Sequence, residues 1–461
     1  MDDPSPLSPI LSDADIAAWS PRPSPPPGDV DTGLADALTR WGLMPPAQMA
    51  GRHFPVACVS LEITQRCNLD CTLCYLSDLA EAVHDVPLEE LFRRIDRILA
   101  HYGAGTNVQI SGGDPTLRAR DELIAIVARV AERGMVPALF TNGIKADRAL
   151  LADLARAGLR DVAFHVDLTQ ERKGFASETA LNVVRDRYIE RARDLGLRIL
   201  FNTTVCADNL AELPDLMAYF TARAHLVRMA SFQMQADTGR GRLRSRGTAV
   251  TVTGVRQALE DGAGVRLFHD TPLIGHPDCN SYAGVLVCGT ARYPLFRHGA
   301  YLTRLLGHAA RFGQIWRRRQ AGLGVCVTAI TAPHLVAQGL VHVAQACWGL
   351  RHGLLRGKPV HKLSVFIHNF MDAGQLDQAR CETCVFMVAT GDGPLSMCVH
   401  NAKRDRYLTH PVKVRAGWWN PMTGRTAPVA EASPTPTPDA LPAKKRKGRW
   451  RHATRTGSDP V

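Results

Sequence analysis

Short apolar runs alternate with amphipathic stretches along the chain between about Val56 and Gln235. The apolar runs read as strands: CVSLEIT, VQISGG, PALFTNG, DVAFHVD, RILFNTTV and VRMASFQMQ. Helical spacing marks the segments between them, including LEELFRRIDRILAHY, RDELIAIVARVAERG and RALLADLARAG. A strand and a helix repeated in this way predict a parallel sheet covered by helices. Six such units predict an α/β fold, a partial (βα)6 TIM-like barrel, with its chemistry at the carboxyl ends of the strands.

Beyond the barrel the pattern is less regular. The stretch from Ala321 to Leu350 has no formal charge, but Pro333 and several polar residues interrupt it. We interpret it as a kinked pair of helices, buried or lying in a membrane interface, rather than as a transmembrane span. The predicted units are a Pro-rich arm (1–50), the barrel (51–245), a connection (246–300), a basic apolar helical insert (301–362), an auxiliary cluster region (363–410) and a disordered basic tail (411–461).

Composition places the protein among globular chains, with 45% apolar residues in 461. Twelve cysteines are too few for a disulfide scaffold, and the amino terminus lacks the features of a secretion signal. We therefore expect a cytoplasmic setting, in which closely spaced cysteines are better read as metal ligands.

The formal charge of +11 is unevenly placed. Residues 279–371 contain no Asp or Glu but eleven Arg and Lys, and the segment Lys444 to Arg451 is strongly basic. This distribution leaves open a peripheral contact with lipid or with the inner face of the membrane. The basic tail could contact phosphates, but we expect no specific nucleic acid partner.

Three cysteines follow the first predicted strand, at Cys67, Cys71 and Cys74. Thiolates at these offsets can hold three corners of a cubane cluster and leave its fourth iron without a protein ligand. Chance spacing is one alternative. A zinc site is another, although the next Cys or His is His84. Ferredoxin-type runs have a different spacing and supply their own fourth cysteine.

A second cysteine group lies near the carboxyl terminus, at Cys381, Cys384 and Cys398, with Cys279 as a candidate fourth ligand. We expect these cysteines to hold an auxiliary 4Fe-4S cluster, which full ligation would make an electron relay or a structural element. An open iron could instead contact the substrate. A zinc knuckle is the alternative for this group. We expect Cys58 and Cys206 to be packing residues rather than ligands.

The cysteine triplet, followed by SGGDPT after the second strand, resembles the radical S-adenosylmethionine (radical SAM) superfamily. The resemblance implies a 4Fe-4S cluster on Cys67, Cys71 and Cys74, reductive cleavage of S-adenosylmethionine, and an electron donor such as ferredoxin or flavodoxin. It also implies that residues at the strand ends contact the cofactor: Gly112, Gly113, Asp114, Asn142, His165, Asp167 and Asn202. Asp114 stands where the superfamily usually has Glu. These residues have alternative, purely structural roles. GGDP can form an ordinary turn, and the polar residues at the strand ends, with Thr204, can hydrogen-bond to one another within the barrel mouth.

Three further segments resemble the branch that contains tetraether lipid synthases and pterin methyltransferase-like proteins: SFQMQADTGR, HPDCN, and FIHNFMDA leading into CETC. The preferred hypothesis is a 5'-deoxyadenosyl radical used for C-C bond formation or alkylation, on a lipid chain with an anionic head group. The first alternative is an enzyme that modifies a peptide or small molecule with the aid of an auxiliary cluster. The second is a non-catalytic iron-sulfur or zinc protein.

Overall fold

The computed structural model describes residues 10–19, 56–243, 250–268, 275–310 and 321–431. Its main sheet has eleven strands in the order β11-β10-β1-β2-β3-β4-β5-β6-β9-β7-β8. Their bounds are β1 Cys58–Thr64, β2 Asn107–Gly112, β3 Val136–Thr141, β4 Asp161–His165, β5 Arg198–Val205, β6 Val227–Met234, β7 Asn280–Cys288, β8 Ala291–Pro294, β9 Val360–Asn369, β10 Phe386–Ala389 and β11 Pro394–Ser396.

Five helices connect β1 to β6: α2 Leu88–Tyr102, α3 Arg120–Glu132, α4 Arg148–Arg156, α5 Asn182–Ala192 and α6 Leu213–Ala222. On α2, Leu91, Ile95 and Ile98 share one face because they stand four and seven residues apart, and all three are buried in the main core. Neighbouring strands from β1 to β6 pair in parallel. The predicted α/β class and partial barrel are thereby confirmed.

Two strands from the carboxyl-terminal part of the chain lengthen the parallel run, which the sequence did not predict. β10 pairs in parallel with β1, and β9 with β6. Aromatic side chains connect these two strands: the Phe386 ring on β10 lies 5.8 Å from the Phe366 ring and 4.7 Å from the His368 ring, both on β9. Side chains thus bridge the gap between the two flanks of the barrel.

The predicted connection after β6 is more regular than expected. It contains helix α7 Val252–Ala263 and strand β7, which runs antiparallel to both β9 and β8. The insert is helical, as predicted: α8 Gly299–Ala310, α9 Ala321–Thr331 and α10 Pro333–Leu354. The break between α9 and α10 falls at Ala332, just before Pro333. Among the described helices, none combines the length and apolar character needed to cross a bilayer.

The prediction of disorder from residue 411 is wrong for the first part of the tail. A three-stranded antiparallel sheet forms there: β12 Val412–Val414, β13 Gly417–Asn420 and β14 Arg425–Ala427. Trp419 is buried, and the backbone amide of His84 donates to the carbonyl of Pro421 at 2.8 Å, so the sheet docks on the barrel. The basic run Lys444 to Arg451 and most of the Pro-rich arm lie outside the described residues.

A buried ion pair holds the loop that follows β4. Arg185 and Glu178 are fully buried and bonded to each other, and the Arg185 guanidinium also donates to the carbonyl of Val166 at 2.8 Å. The other oxygen of Glu178 accepts from the amide of Leu168 and the side chain of Asn209. This network ties the ends of β4 and β5 to α5.

We predict that Arg185→Met lowers the free energy of unfolding by about 3–5 kcal/mol, because it leaves the Glu178 carboxylate buried and unpaired. Urea denaturation followed by circular dichroism measures the loss. The control is Arg223→Met, which breaks the half-exposed pair with Asp186 and should cost about 1 kcal/mol or less. Equal losses of unfolding free energy in the two variants would contradict the claim that the buried Arg185–Glu178 pair holds this loop.

Candidate metal centre and cofactor cavity

The loop that carries Cys67, Cys71 and Cys74 is fixed by backbone hydrogen bonds from several strand ends. The amide of Thr72 donates to the carbonyl of Thr169 after β4 at 2.8 Å. After β6, the amide of Gly241 donates to the carbonyl of Cys74 at 3.2 Å. The side chain of Asn142, after β3, donates to Asn68 at 2.6 Å. The fold therefore defines where the three thiols stand.

The closest support comes from Gly112 and Gly113 at the end of β2. A Cβ on Gly112 would lie 2.0 Å from the carbonyl oxygen of Thr64, and one on Gly113 would lie 2.1 Å from that of Arg66. Gly112 also has a φ of +122°, which side chains disfavour. The amide of Gly113 donates to the Thr64 carbonyl at 2.8 Å. The two glycines thus let β2 pack closely against the start of the cysteine loop.

The thiols of the triplet occupy a shared, confined space. Burial, followed by the nearby thiols of Cys74 and Cys67, raises the pKa of Cys71 well above its ordinary value. Burial also raises the pKa of Cys74, although Arg240 opposes the shift. Without a metal these raised pKa values keep the thiols protonated; as thiolates they would need a nearby cation, and the iron of a cluster would supply that charge. Asn142 Nδ2 lies 3.9 Å from Cys67 Sγ, a polar contact of the kind that tunes iron-sulfur clusters. The donor set fits a cubane cluster.

Asp114 does not face a ligand. It is fully buried, and its carboxylate accepts from the hydroxyl of Thr141 at 2.9 Å and from the amide of Asn142 at 2.8 Å. It also accepts from the amide of Thr116 at 3.0 Å. Protein donors on β3 and in the following turn therefore engage both oxygens. The structure corrects the predicted cofactor contact: Asp114 joins the ends of β2 and β3.

Asp167 is a second correction of the same kind. This fully buried carboxylate accepts from the amide of Thr204 at 2.7 Å and lies 2.6 Å from Nε2 of His165. Burial raises the pKa of Asp167, but His165 outweighs that effect and holds it at about 2. Burial lowers the pKa of His165, but the neighbouring Asp167 outweighs that effect, so the pKa of His165 is raised. Asp167 therefore orients His165, and only His165 reaches the cavity.

A cavity of about 640 Å³ extends from the cysteine loop along the inside of the barrel, within the usual size range of ligand sites. The triplet cysteines line it, together with five other predicted site residues: Gly112, Gly113, Asn142, His165 and Asn202. Thr204 lines it as well. The lining also includes Ser231, Gln235 and His368, which were not among the predicted site residues. Each has a buried polar atom without a hydrogen-bond partner within the described chain. Such atoms require a partner, which a bound ligand can supply.

The thiols of the second cysteine group lie close enough to influence one another's pKa. Burial, followed by the thiols of Cys398, Cys384 and Cys279, raises the pKa of Cys381. Cys279, from the segment before β7, thus joins three cysteines that lie more than a hundred residues later. Its pKa rises to about 11 through burial, against the effect of Arg380, whose Nε lies 3.2 Å from the sulfur. In the ranges described, no three His, Cys, Asp or Glu side chains are arranged to bind a single metal ion.

The amino-terminal segment covers this second group, a contact that the sequence analysis missed. Leu11 and Ile16, the latter on helix α1 Asp13–Ala18, pack in one apolar cluster with Cys381 and Cys398. The amide of Leu11 donates to the carbonyl of Leu376 at 2.8 Å. The only sequence signal was the short apolar pattern in PILSDADIAAW. Cys58 and Cys206 are buried, in agreement with packing roles, although Cys58 shares a small cluster with Cys384.

Arg404 connects the two cysteine groups and carries no sequence signal. Its guanidinium donates to both oxygens of the buried Glu62 on β1 at 2.8 Å and lies 4.6 Å from the ring of Tyr75, the neighbour of Cys74. Burial would raise the pKa of Glu62, but Arg404 brings it to about 2. Cys398 lies six residues before Arg404. A charged, desolvated contact therefore joins the first cysteine loop to the carboxyl-terminal region.

Comparison with known proteins agrees with this site. Residues 61–220 match the family model described as the radical SAM superfamily. The 7,8-dihydro-6-hydroxymethylpterin dimethyltransferase of Methanocaldococcus jannaschii is 26% identical over 187 residues, which are 39% of this chain and 37% of that protein. This match supports the predicted resemblance to the pterin methyltransferase-like branch.

A second curated protein and a solved structure are also similar to parts of this chain. The PqqA peptide cyclase of Rhodopseudomonas palustris is 32% identical over 165 residues, 34% of this chain and 42% of that protein. The crystal structure of Streptococcus suis SuiB bound to S-adenosylmethionine aligns with a TM-score of 0.35 and 14% identity, over 45% of this chain and 47% of that one. The chain thus spans less than half the length of these two curated relatives.

The matched segment contains the cysteine triplet, the supporting glycines and the barrel strands from β2 to β5. Residues 61–220 of this chain therefore form a domain of the radical SAM superfamily.

Proposed function

We propose that the protein is a radical SAM enzyme in which Cys67, Cys71 and Cys74 hold a 4Fe-4S cluster. The observation that carries the proposal is the placement of these thiols at one end of a 640 Å³ cavity, beside strand ends with polar side chains. When bound and reduced, such a cluster supplies an electron to S-adenosylmethionine and so gives a 5'-deoxyadenosyl radical. An external donor such as ferredoxin or flavodoxin delivers that electron.

The chain's own residues bind and orient the cofactor in this proposal. Asn142, His165 and Asn202 line the cavity at the carboxyl ends of β3, β4 and β5, where they can donate to ribose and carboxylate oxygens. Asp167 holds His165 in place, and Asp114 holds the segment that carries Asn142. The aromatic contacts between β9 and β10 close the side of the cavity and exclude water, which protects a carbon radical.

The far end of the cavity supports an anionic, chain-bearing substrate. Among its described lining residues at the amino ends of the strands, Arg228 and Lys362 are cationic, whereas the cation of Arg198 is paired with the acidic Asp161. Apolar side chains line the flank of the same cavity: Phe140, Leu200, Phe366, Phe370, Phe386 and Met397. A hydrocarbon chain along this flank, with an anionic head group at the basic end, matches both features. The reaction we infer is C-C bond formation or alkylation on a lipid chain.

The second cysteine group serves this chemistry as an auxiliary cluster. Cys279, Cys381, Cys384 and Cys398 provide four thiols near β10, whose residues Phe386 and Val388 line the cavity. Four protein ligands favour an electron relay or a structural role over a direct substrate contact.

Modification of a peptide is the second candidate, because a matched relative is a PqqA peptide cyclase. Polar side chains of the barrel interior support it, since Ser60, Gln109 and Ser111 also line the cavity and could bond a peptide backbone.

We predict that Cys71→Ala abolishes formation of 5'-deoxyadenosine and removes the iron of one cluster after anaerobic reconstitution. The control variant Cys381→Ala/Cys384→Ala leaves the second group with two thiols, so it should lose the iron of the other cluster and still cleave S-adenosylmethionine when dithionite supplies electrons. Iron and sulfide analysis with quantification of 5'-deoxyadenosine measures both effects, and circular dichroism verifies folding. Cleavage that survives in Cys71→Ala would refute the assignment.

For the substrate class, we predict that anionic lipids with perdeuterated acyl chains transfer deuterium into 5'-deoxyadenosine, detectable by mass spectrometry. The label should appear because the radical abstracts hydrogen from the chain. Arg228→Gln should raise the KM for these lipids about tenfold, the loss expected for one hydrogen bond to a charged group. Unlabelled 5'-deoxyadenosine from an active enzyme would exclude lipid chains and favour the peptide candidate.

A further inference from the structure

Helix α10, Pro333–Leu354, carries large apolar side chains on its outward side. Large apolar side chains along it are well exposed: Leu340 by 66%, Val341 by 54%, Val343 by 60% and Trp348 by 70%. Leu355, just after the helix, is 84% exposed. Leu340, Trp348 and Leu355 stand eight and fifteen residues apart, so they lie on the same side of the helix.

The opposite side of α10 packs on the protein through small and polar residues together with the buried Leu335 and Leu350. His342 stacks on His298 of the neighbouring segment with 3.6 Å between ring centroids, and Gln345 lies 2.8 Å from the same His298. Gly349 and Gly353 face strands β8 and β7, where added Cβ atoms would lie 2.7 Å from the Tyr293 ring and 2.1 Å from the Cys288 carbonyl oxygen. A surface helix normally presents polar side chains to water, so the large apolar side chains on the outer side of α10 depart from that pattern.

Positive charge accompanies this outward face. Arg351 lies over the ring of Trp348 at 4.5 Å, and Arg356 and Lys358 are exposed directly after the helix. The 93 positions from 279 to 371 contain no acidic residue. Aliphatic side chains, a tryptophan and flanking cations on one face are the features by which helices bind at anionic lipid surfaces.

We propose that the face formed by Leu340, Val341, Val343, Trp348 and Leu355, with Arg351, Arg356 and Lys358 at its end, docks the protein onto an anionic bilayer surface. The helix lies in the interface with its apolar side chains among the lipid head groups and upper acyl chains. This inference rests on the exposed surface and is independent of the reaction catalysed in the barrel.

The test is flotation of the reconstituted full-length protein with vesicles of phosphatidylcholine, with or without phosphatidylglycerol, in the absence of S-adenosylmethionine and reductant. Wild type should float with the phosphatidylglycerol vesicles. The variant Leu340→Asp/Leu355→Asp should bind these vesicles more weakly by a factor on the order of a hundred, because it loses two leucines that would be buried in the bilayer. Arg356→Gln/Lys358→Gln should weaken binding roughly tenfold or more, and only to the anionic vesicles.

The matched control is Val183→Asp/Val429→Asp, which makes the same charge change at valines that are 54% and 71% exposed elsewhere. It should bind like wild type. Light scattering addresses the alternative that a second copy covers the face. A wild-type dimer that Leu340→Asp/Leu355→Asp converts to a monomer would overturn the proposal, and so would equal flotation of the two double-aspartate variants.

Discussion

The structure depends on a close backbone contact between the ends of the first two barrel strands. Gly112 and Gly113 press on the carbonyl oxygens of Thr64 and Arg66, at distances that leave no room for a Cβ. This contact fixes the start of the loop that carries Cys67, Cys71 and Cys74, while β3, β4 and β6 fix the rest of that loop. The three thiols are thereby held together, and burial raises the pKa values of Cys71 and Cys74. Because the glycines fix the loop that carries the cysteines, the glycines and the cysteines form one structural unit.

Buried charges extend this unit into the rest of the barrel. Asp114 and Asp167 are both fully buried and joined to adjacent strand ends, and each orients a residue that does line the cavity, Asn142 and His165 respectively. Arg404 reaches from the carboxyl-terminal region to Glu62 on β1 and to Tyr75 beside Cys74. Each of these ions costs desolvation energy, which its hydrogen-bonded partners offset. The cavity rim is therefore held by buried charged contacts, an arrangement that suits the proposed radical chemistry.

The sequence predicts the repeating part of the fold well because each unit is local. The period of the apolar residues in CVSLEIT and LEELFRRIDRILAHY is sufficient to define β1 and α2. It could not reveal that β9 and β10 extend the sheet on both flanks, since those pairings join residues 130 to 330 positions apart. It also could not distinguish Asp114 and Asp167, which support the site, from Asn142 and His165, which face it. The spacing of carboxylates carries no information about burial. Leu11, Ile16 and Arg404 were missed for the same reason, because their partners are distant in the chain.

The central claim is that the first cluster keeps one iron without a protein thiolate and presents it to the cavity. Electron paramagnetic resonance of the reduced, reconstituted Cys381→Ala/Cys384→Ala variant, recorded with and without S-adenosylmethionine, tests this claim most directly. The double substitution leaves the second group only Cys279 and Cys398, so the remaining signal comes from the first cluster. The account predicts that S-adenosylmethionine shifts the g values, because it binds the open iron. A signal that is unchanged at saturating S-adenosylmethionine would contradict the account.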